Sequence, residues 1–335
     1  MADQSTIGAR IQIGAEAVAG TAVAATRRLR AINGSPEFTQ QVDTFKGSGS
    51  RAVDVAALNM EMATFGFDGF ATYEELPVLL DALIKKHAAP TADGTNGKRY
   101  VYAPSVAATD VPSTYTIEYG SNDGRGTRMA YSFVDALSVN FGRDGIKLSG
   151  SFTGRALQDN HTLTTTGITE YTLTPVLATN LAIYVADTWN NLDVPASRVK
   201  MGRVLQGTYS IGSRWAPLTV LDQTTSFATH LENEQQQYEL SLKAGWDAQS
   251  MGYLDELRQG KTIFVRIEAI GDAIAGATPS AYTLQIDSAM KLTGFGKLES
   301  NNNLVAIDFK GMLANDPVAG RFTEITVINT NAAVV

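Results

Sequence analysis

Imidazole is supplied by three residues only, His87, His161 and His230, and no two of them lie close together in sequence. A metal site read from a short motif needs ligands within a few residues of one another. These three therefore read as ordinary surface histidines in or beside loops. Paired carboxylates occur at Glu74-Glu75 and Asp255-Glu256. Such pairs do acid–base chemistry when their environments split their pKa values. Beside a helix the simpler reading is a solvated helix face, and that is the expectation. Gly94-Thr95-Asn96-Gly97-Lys98-Arg99 lacks the spacing and the Ser/Thr of a phosphate loop. Gly47-Ser48-Gly49-Ser50-Arg51-Ala52 matches a dinucleotide fingerprint loosely, without a flanking strand and helix, and reads as an exposed loop. Ser121-Asn122-Asp123-Gly124 lacks the later acidic ligand of a calcium loop. There is no Gly-x-Ser-x-Gly nucleophile motif, and no cysteine for disulfide, thiolate-metal or thiol chemistry. No catalytic, cofactor-binding or metal-ligating residue is assigned, and the expectation is a protein that is not an enzyme.

The elements that would have to position any chemistry point the same way. The 335 residues are 44% apolar and only 18% charged. An average soluble domain carries about 25% charged residues, so part of this surface is expected to be buried against other chains. The net charge of −7 and the lack of a basic run argue against a grip on DNA or on an anionic membrane. The N-terminus shows no signal peptide, and no apolar run reaches the roughly 18 residues of a membrane span.

Period-two alternation dominates, the mark of half-buried strands. Tyr115, Ile117 and Tyr119 alternate, as do Leu137, Val139 and Phe141. Asp144-Gly145 then supplies a hairpin turn, and Ile146, Leu148 and Phe152 lead back. Ile263, Val265 and Ile267, then Leu284 and Ile286, then Val305, Ile307 and Phe309 repeat the pattern, with Asn301-Asn302-Asn303 as the last turn. Two helices are expected. One runs over about 76–86, with Pro77 in its first turn and Lys85 and Lys86 at the negative end of its dipole. The other runs over about 251–259, with Ser250 as N-cap and Gly260 as its stop.

The chain also contains one unit twice. Arg30–Ser35 matches Arg203–Thr208, Gly66-Phe67-Asp68 matches Gly245-Trp246-Asp247, and Leu80–Leu83 matches Leu254–Leu257. Ile117-Glu118, Val134-Asp135 and Phe152–Gly154 match Ile267-Glu268, Ile286-Asp287 and Phe309–Gly311, in the same order. The one large change in offset, from 174 to 150, assigns the first copy an insert near 87–112 that reads as a long loop. The expected fold is mainly β (α+β), with two tandem β-barrel or sandwich domains, each carrying one packed helix. The boundary falls near 165, giving domains 1–165 and 166–335.

The opening segment, Ile11-Gln12-Ile13-Gly14-Ala15-Glu16-Ala17-Val18-Ala19-Gly20-Thr21-Ala22-Val23-Ala24, resembles that of siphophage major tail tube proteins. In that family a short strand leads into Gly-x-Glu-x-x-x-Gly-Thr. The segment Tyr73–Leu80 resembles the start of the family's helix, and the block Met201–Gly245 is similar to a later family segment. The resemblance implies a structural virion protein. Its stacked rings would form a tail tube that encloses the tape-measure protein and conducts DNA without binding it specifically. It further implies assembly in the host cytoplasm, contact with tail terminator and distal tail proteins, and no cofactor. Single-barrel members make six-subunit rings, so two barrels per chain would close a pseudo-sixfold ring with three chains. A homohexamer is the alternative. A tail-tip or capsid-decoration β-protein with a glycan-binding or hydrolytic role is the competing reading.

Ring stacking and subunit contact are assigned to Glu16, Gly20, Thr21, Lys46, Arg51, Glu232 and Glu234. Two polar segments at matching places carry four of these, Asp43–Asn59 with Lys46 and Arg51, and Asp222–Gln237 with Glu232 and Glu234. Basic charge in one and acidic charge in the other would pair across rings. The arm Met1–Ala25 is expected to order against a neighbouring copy, so that its loss leaves rings that do not stack.

Overall fold

The computed structural model describes residues 8–87, 89–121, 125–221, 226–234, 236–246, 248–301 and 304–335. The chain is mainly β, with two helices among the described residues. In the first half the strands are β1 (Arg10–Ala15), β2 (Arg27–Leu29), β3 (Ile32–Phe45), β4 (Val55–Phe70), β5 (Thr91–Asp93), β6 (Gly97–Tyr102), β7 (Tyr115–Gly120), β8 (Gly126–Gly142), β9 (Gly145–Gly154) and β10 (Gln158–His161), with helix α1 (Leu76–Leu83) after β4. Then follow β11 (Thr169–Glu170), β12 (Leu181–Ala186), β13 (Val199–Lys200), β14 (Val204–Gly212), β15 (Trp215–Leu218), β16 (Thr229–Glu232) and β17 (Gln237–Gly245). Helix α2 (Ala248–Arg258), β18 (Thr262–Ile274), β19 (Ser280–Phe295), β20 (Glu299–Asn301), β21 (Leu304–Leu313) and β22 (Thr323–Asn329) complete the chain.

The same strand order is built twice. In the first half β3 pairs β4, β4 pairs β9, β9 pairs β8, β8 pairs β7, β7 pairs β1 and β1 pairs β2. In the second, β14 pairs β17, then β21, β19, β18, β12 and β13 follow in the matching places. In each half a long strand, β8 or β19, pairs with one neighbour along its first part (β7 or β18) and with another along its last part (β9 or β21). Each carries a bulge, which adds one unpaired residue and sharpens the local twist. The bulges fall at Asp135, between Val134 and Ala136, and at Thr293, between Leu292 and Gly294.

Counting outward from these two bulges along the paired strands sets Gly34 of β3 against Gly207 of β14, the offset of 173 read from Arg30–Ser35. Other sequence matches shift. Gly66-Phe67 falls against Ser241-Leu242 rather than Gly245-Trp246, and Ile117 against Val265 rather than Ile267. Shifts of even number leave the inward faces inward, which is why periodicity alone does not detect them.

Several expectations need correction. The insert near 87–112 is not a loop throughout. β5 and β6 form a hairpin in it, and β6 lies along β22 of the second half, from Tyr102↔Ile325 to Lys98↔Asn329. Tyr100 and Tyr102 point into the core, so the alternating signal was present but flanked by loop-like residues. The turn after β8 centres on Arg143-Asp144 between paired Gly142 and Gly145, one residue earlier than Asp144-Gly145. Helix α1 ends at Leu83, before Lys85 and Lys86, and is buried on all sides, so Glu74, Glu75 and Asp81 are buried rather than solvated. Ser250 lies inside α2 rather than ahead of it, while Gly260 follows its end at φ +64°, as a stop requires. The inward positions expected at Leu254 and Leu257 lie outside the described side chains, as do the Asn301–Asn303 turn and most of the Ser121–Gly124 loop.

The N-terminal arm is also not free. β1 sits between β2 and β7 with Ile11, Gln12 and Ile13 buried, so residues 10–15 are part of this chain's own sheet. Removing residues 2–20 would strip a central strand, not just a contact between rings. Residues 1–7 lie outside the described part.

Candidate assembly interface

The Gly-x-Glu-x-x-x-Gly-Thr segment closes on itself. Where β1 ends, the chain leaves the sheet and must return to β2. The Glu16 carboxylate, 8% exposed, fixes that return by accepting from Gly20 N (2.7 Å), Thr114 Oγ1 (2.9 Å), Thr116 Oγ1 (2.9 Å) and Tyr131 N (2.8 Å). Four donors satisfy a buried carboxylate that would otherwise be costly. Gly20 has φ +82°, and a Cβ there would come within 2.6 Å of Arg155 Nη1. Thr21 N donates to Val18 O in the same turn. Glu16, Gly20 and Thr21, expected at contacts between copies, make these bonds within the chain, and Thr21 also stands exposed.

Besides the β6–β22 and β2–β11 pairings, the two halves meet along a third strand pair and one folded arm. β14 lies antiparallel to the C-terminal part of β8, from Gly207↔Phe141 to Ile211↔Leu137, and Thr208 Oγ1 donates to Asn140 Oδ1 (2.9 Å). At Ser213 the backbone turns left-handed (φ +52°), a strained conformation for a residue with a Cβ. The β15–β16 hairpin swings away there and folds over the end of α1. The last carbonyls of a helix have no partner within it and gather negative charge. Here Trp215 Nε1 donates to Leu83 O (2.6 Å) and Arg214 Nη2 to Ile84 O (3.3 Å). The second half therefore supplies the cation expected from Lys85 and Lys86.

Arg214 is 1% exposed and densely bonded. It pairs with Asp110 (2.6 Å) and Glu232 (3.1 Å), donates to Gln236 Oε1 (2.7 Å) and the Tyr238 hydroxyl, and its guanidinium lies 5.1 Å from the Trp215 ring. Beside it Trp215 and Phe227 pack on Tyr131 and Phe133 of β8. From the first half, Arg155 donates to Phe227 O and Ala228 O (3.1 and 2.8 Å).

The counterparts of this junction, β3 and the β3–β4 arm in the first half and β20 in the second, have no such partner among the described residues. Among the described residues no strand pairs with the outer edge of β3 or of β20. The β3–β4 hairpin runs straight on where β14 breaks, and beyond Ala63 no third strand supports it. It carries exposed Phe38, Val42, Phe45, Val55 and Leu58. Isolated exposed apolar residues are common, whereas these stand together on one unsupported arm. Residues 43–45 and 55–59 are strand, so the expected polar segment shrinks to the tip at 46–54, where Lys46 and Arg51 stand exposed. Of the opposing segment, residues 222–225 and 235 lie outside the described part. Glu234 is exposed, whereas Glu232 is held by Arg214.

The remaining chemistry-bearing groups make contacts within the fold. Glu75 accepts from Arg30 N (2.7 Å) and Ala31 N (3.0 Å), and Glu74 from Thr174 N (2.8 Å), tying α1 to both flanking segments. Burial pushes Glu75 up to about 7 and Asp81 to about 6, despite hydrogen bonds that favour their ionised forms. The histidines are not plain surface residues. His87 packs on Tyr100 and Tyr102, His161 bonds to Glu118 (3.1 Å), and His230 packs on Tyr131, Phe133 and Trp215. No cluster of three metal-ligating side chains occurs among the described residues. No protein-family model and no curated protein matches the sequence.

Proposed function

We propose that this chain is the tail tube protein of a long-tailed bacteriophage and works as a structural ring-former without enzymatic activity. In this reading the chain comprises two tail-tube-like units, 1–165 and 166–335, that occupy neighbouring places in a pseudo-sixfold ring. Three chains then complete the ring, and stacked rings form the tube. The observation that carries the proposal is the doubled strand order together with its unequal ends. The second unit's edge and arm are locked onto the first, and the first unit's edge and arm are exposed. A chain built this way satisfies its last edge only by meeting further copies.

The tube would enclose the tape-measure protein during assembly and conduct DNA during infection, with terminator and distal tail proteins at its ends. A conduit must release what it carries, and phosphates held by a basic wall would cost free energy at every step. A net charge of −7 favours a lumen that repels DNA toward its axis.

Mass photometry with negative-stain imaging tests this directly. The expected result is hollow rings or tubes built in multiples of three chains. Monomers at every concentration would sink the reading, and rings of six full chains would sink the trimer.

A further inference from the structure

We infer that one chain joins the next by repeating its own internal junction: the outer edge of β3 pairs antiparallel with the 296–301 edge of a second copy of this chain. The inference rests on the ring-former reading and adds to it the contact surface and its register.

The junction inside the chain sets the geometry. β14 adds to the end of β8 just before the hairpin turn where Gly142 pairs Gly145. The second half has the matching strand pair, with Asn301 opposite Leu304. Matching these pairs places 297–300 where β8 has Ser138–Phe141, and β3 stands where β14 stands. The register Gly207↔Phe141 then becomes Gly34 opposite Ser300 of the next copy.

Hydrogen bonding along β3 fits. Phe70 N donates to Ala31 O, so odd-numbered residues of β3 turn their backbone groups toward β4. Alternation then turns Ile32, Gly34, Pro36 and Phe38 outward. Pro36 has no N–H to give and contributes its carbonyl alone, so the ladder lacks one bond there.

Side chains support the same register. Glu37 falls opposite Lys297, and both are exposed, with no ion pair to another described residue. Ser35 falls opposite Glu299, the place held inside the chain by the hydrogen-bonded pair Thr208 and Asn140. Leu298, 55% exposed, meets Pro36. Opposite charges facing across a strand pair favour it, and a one-residue slip would separate them.

The chain has no cysteine, so introduced pairs report without background. Ser35→Cys combined with Glu299→Cys puts thiols at a non-hydrogen-bonded pair, where side chains approach most closely. Thr208→Cys with Asn140→Cys is the matching pair within the chain and controls for folding and oxidation. Mild oxidation of the first double variant is expected to give chains linked to one another, ending in a closed three-chain species, while each single variant stays unlinked. Glu37→Lys or Lys297→Glu alone is expected to weaken assembly at least tenfold, and the two together to restore it. Rings that form normally without cross-linking would overturn this contact and leave the ring-former reading standing. Monomers that neither link nor assemble, while the control pair oxidises, would overturn both.

Discussion

Glu75 shows how one residue type takes opposite roles with its surroundings. On a solvated helix face it would be an ordinary acid. Here it is buried and clamps the backbone at Arg30 and Ala31, and burial raises its pKa from 4.5 to about 7. Asp81 rises from 3.8 to about 6 for the same reason. Both hold protons in the folded state at pH values where the unfolded chain has lost them. Their contribution is therefore complete below the unfolded values and is lost as pH rises through the folded ones. The thermal midpoint should fall between pH 5 and 8, with Glu75 accounting for about 3 kcal/mol at about 1.4 kcal/mol per pKa unit. Glu75→Gln should flatten the profile, and a wild-type midpoint that rises over this range would contradict the assignment. Glu16 makes a second residue-scale case. Glu16→Ala leaves the buried Tyr131 N–H and the half-buried Gly20 N–H unmatched, which should cost about 2–4 kcal/mol. Equilibrium unfolding would reveal it, and an unchanged midpoint would mean that the clamp does not matter.

Among the elements, the β15–β16 arm joins the halves beside the β14–β8 and β22–β6 strand pairs. Arg214 caps α1 from 130 residues away in sequence (214 − 84) while pairing with Asp110 and Glu232. Breaking a buried pair from one side strands the other charge and typically costs 3–5 kcal/mol, roughly independent of salt. Arg214→Ala is expected to lower stability by about that amount, and Arg214→Lys to recover only part, because an ammonium cannot reproduce the planar fork. A loss under about 1 kcal/mol in urea titrations would show that water replaces the network easily. The exposed β3–β4 arm is the same element without a host, which is why its apolar residues matter.

For the molecule as a whole, charge sets what sticks. With 27 basic and 34 acidic side chains and no basic run, the surface offers DNA little to hold. Purified assemblies should therefore fail to retain duplex DNA in a filter or sedimentation assay at about 0.1 M salt. Retention that disappears steeply with added salt would point to a basic binding wall and count against a conduit.

The alternating segments were legible from the amino acids alone. Tyr115–Tyr119, Leu137–Phe141, Ile263–Ile267 and Val305–Phe309 are all strands, as their period of two in residue type implies, although Tyr115–Glu118 and Ile263–Ile267 are buried on both faces. The mainly β class, both helices, the Gly260 stop and one register of the repeat follow from such local rules. The hairpin at Thr91–Tyr102 had its signal in Tyr100 and Tyr102, but Ala, Pro and Gly around it masked a strand whose partner, β22, lies more than 200 residues on. No local rule reveals that Glu16 binds Tyr131 N, that Glu75 is buried, or that Arg214 ends a helix in the other half. Those contacts join segments far apart in the chain, and a side chain's charge cost, partner and role are set by what the fold brings beside it. Composition and period fixed the strands, and tertiary packing alone decided which edge of them was covered and which was left open.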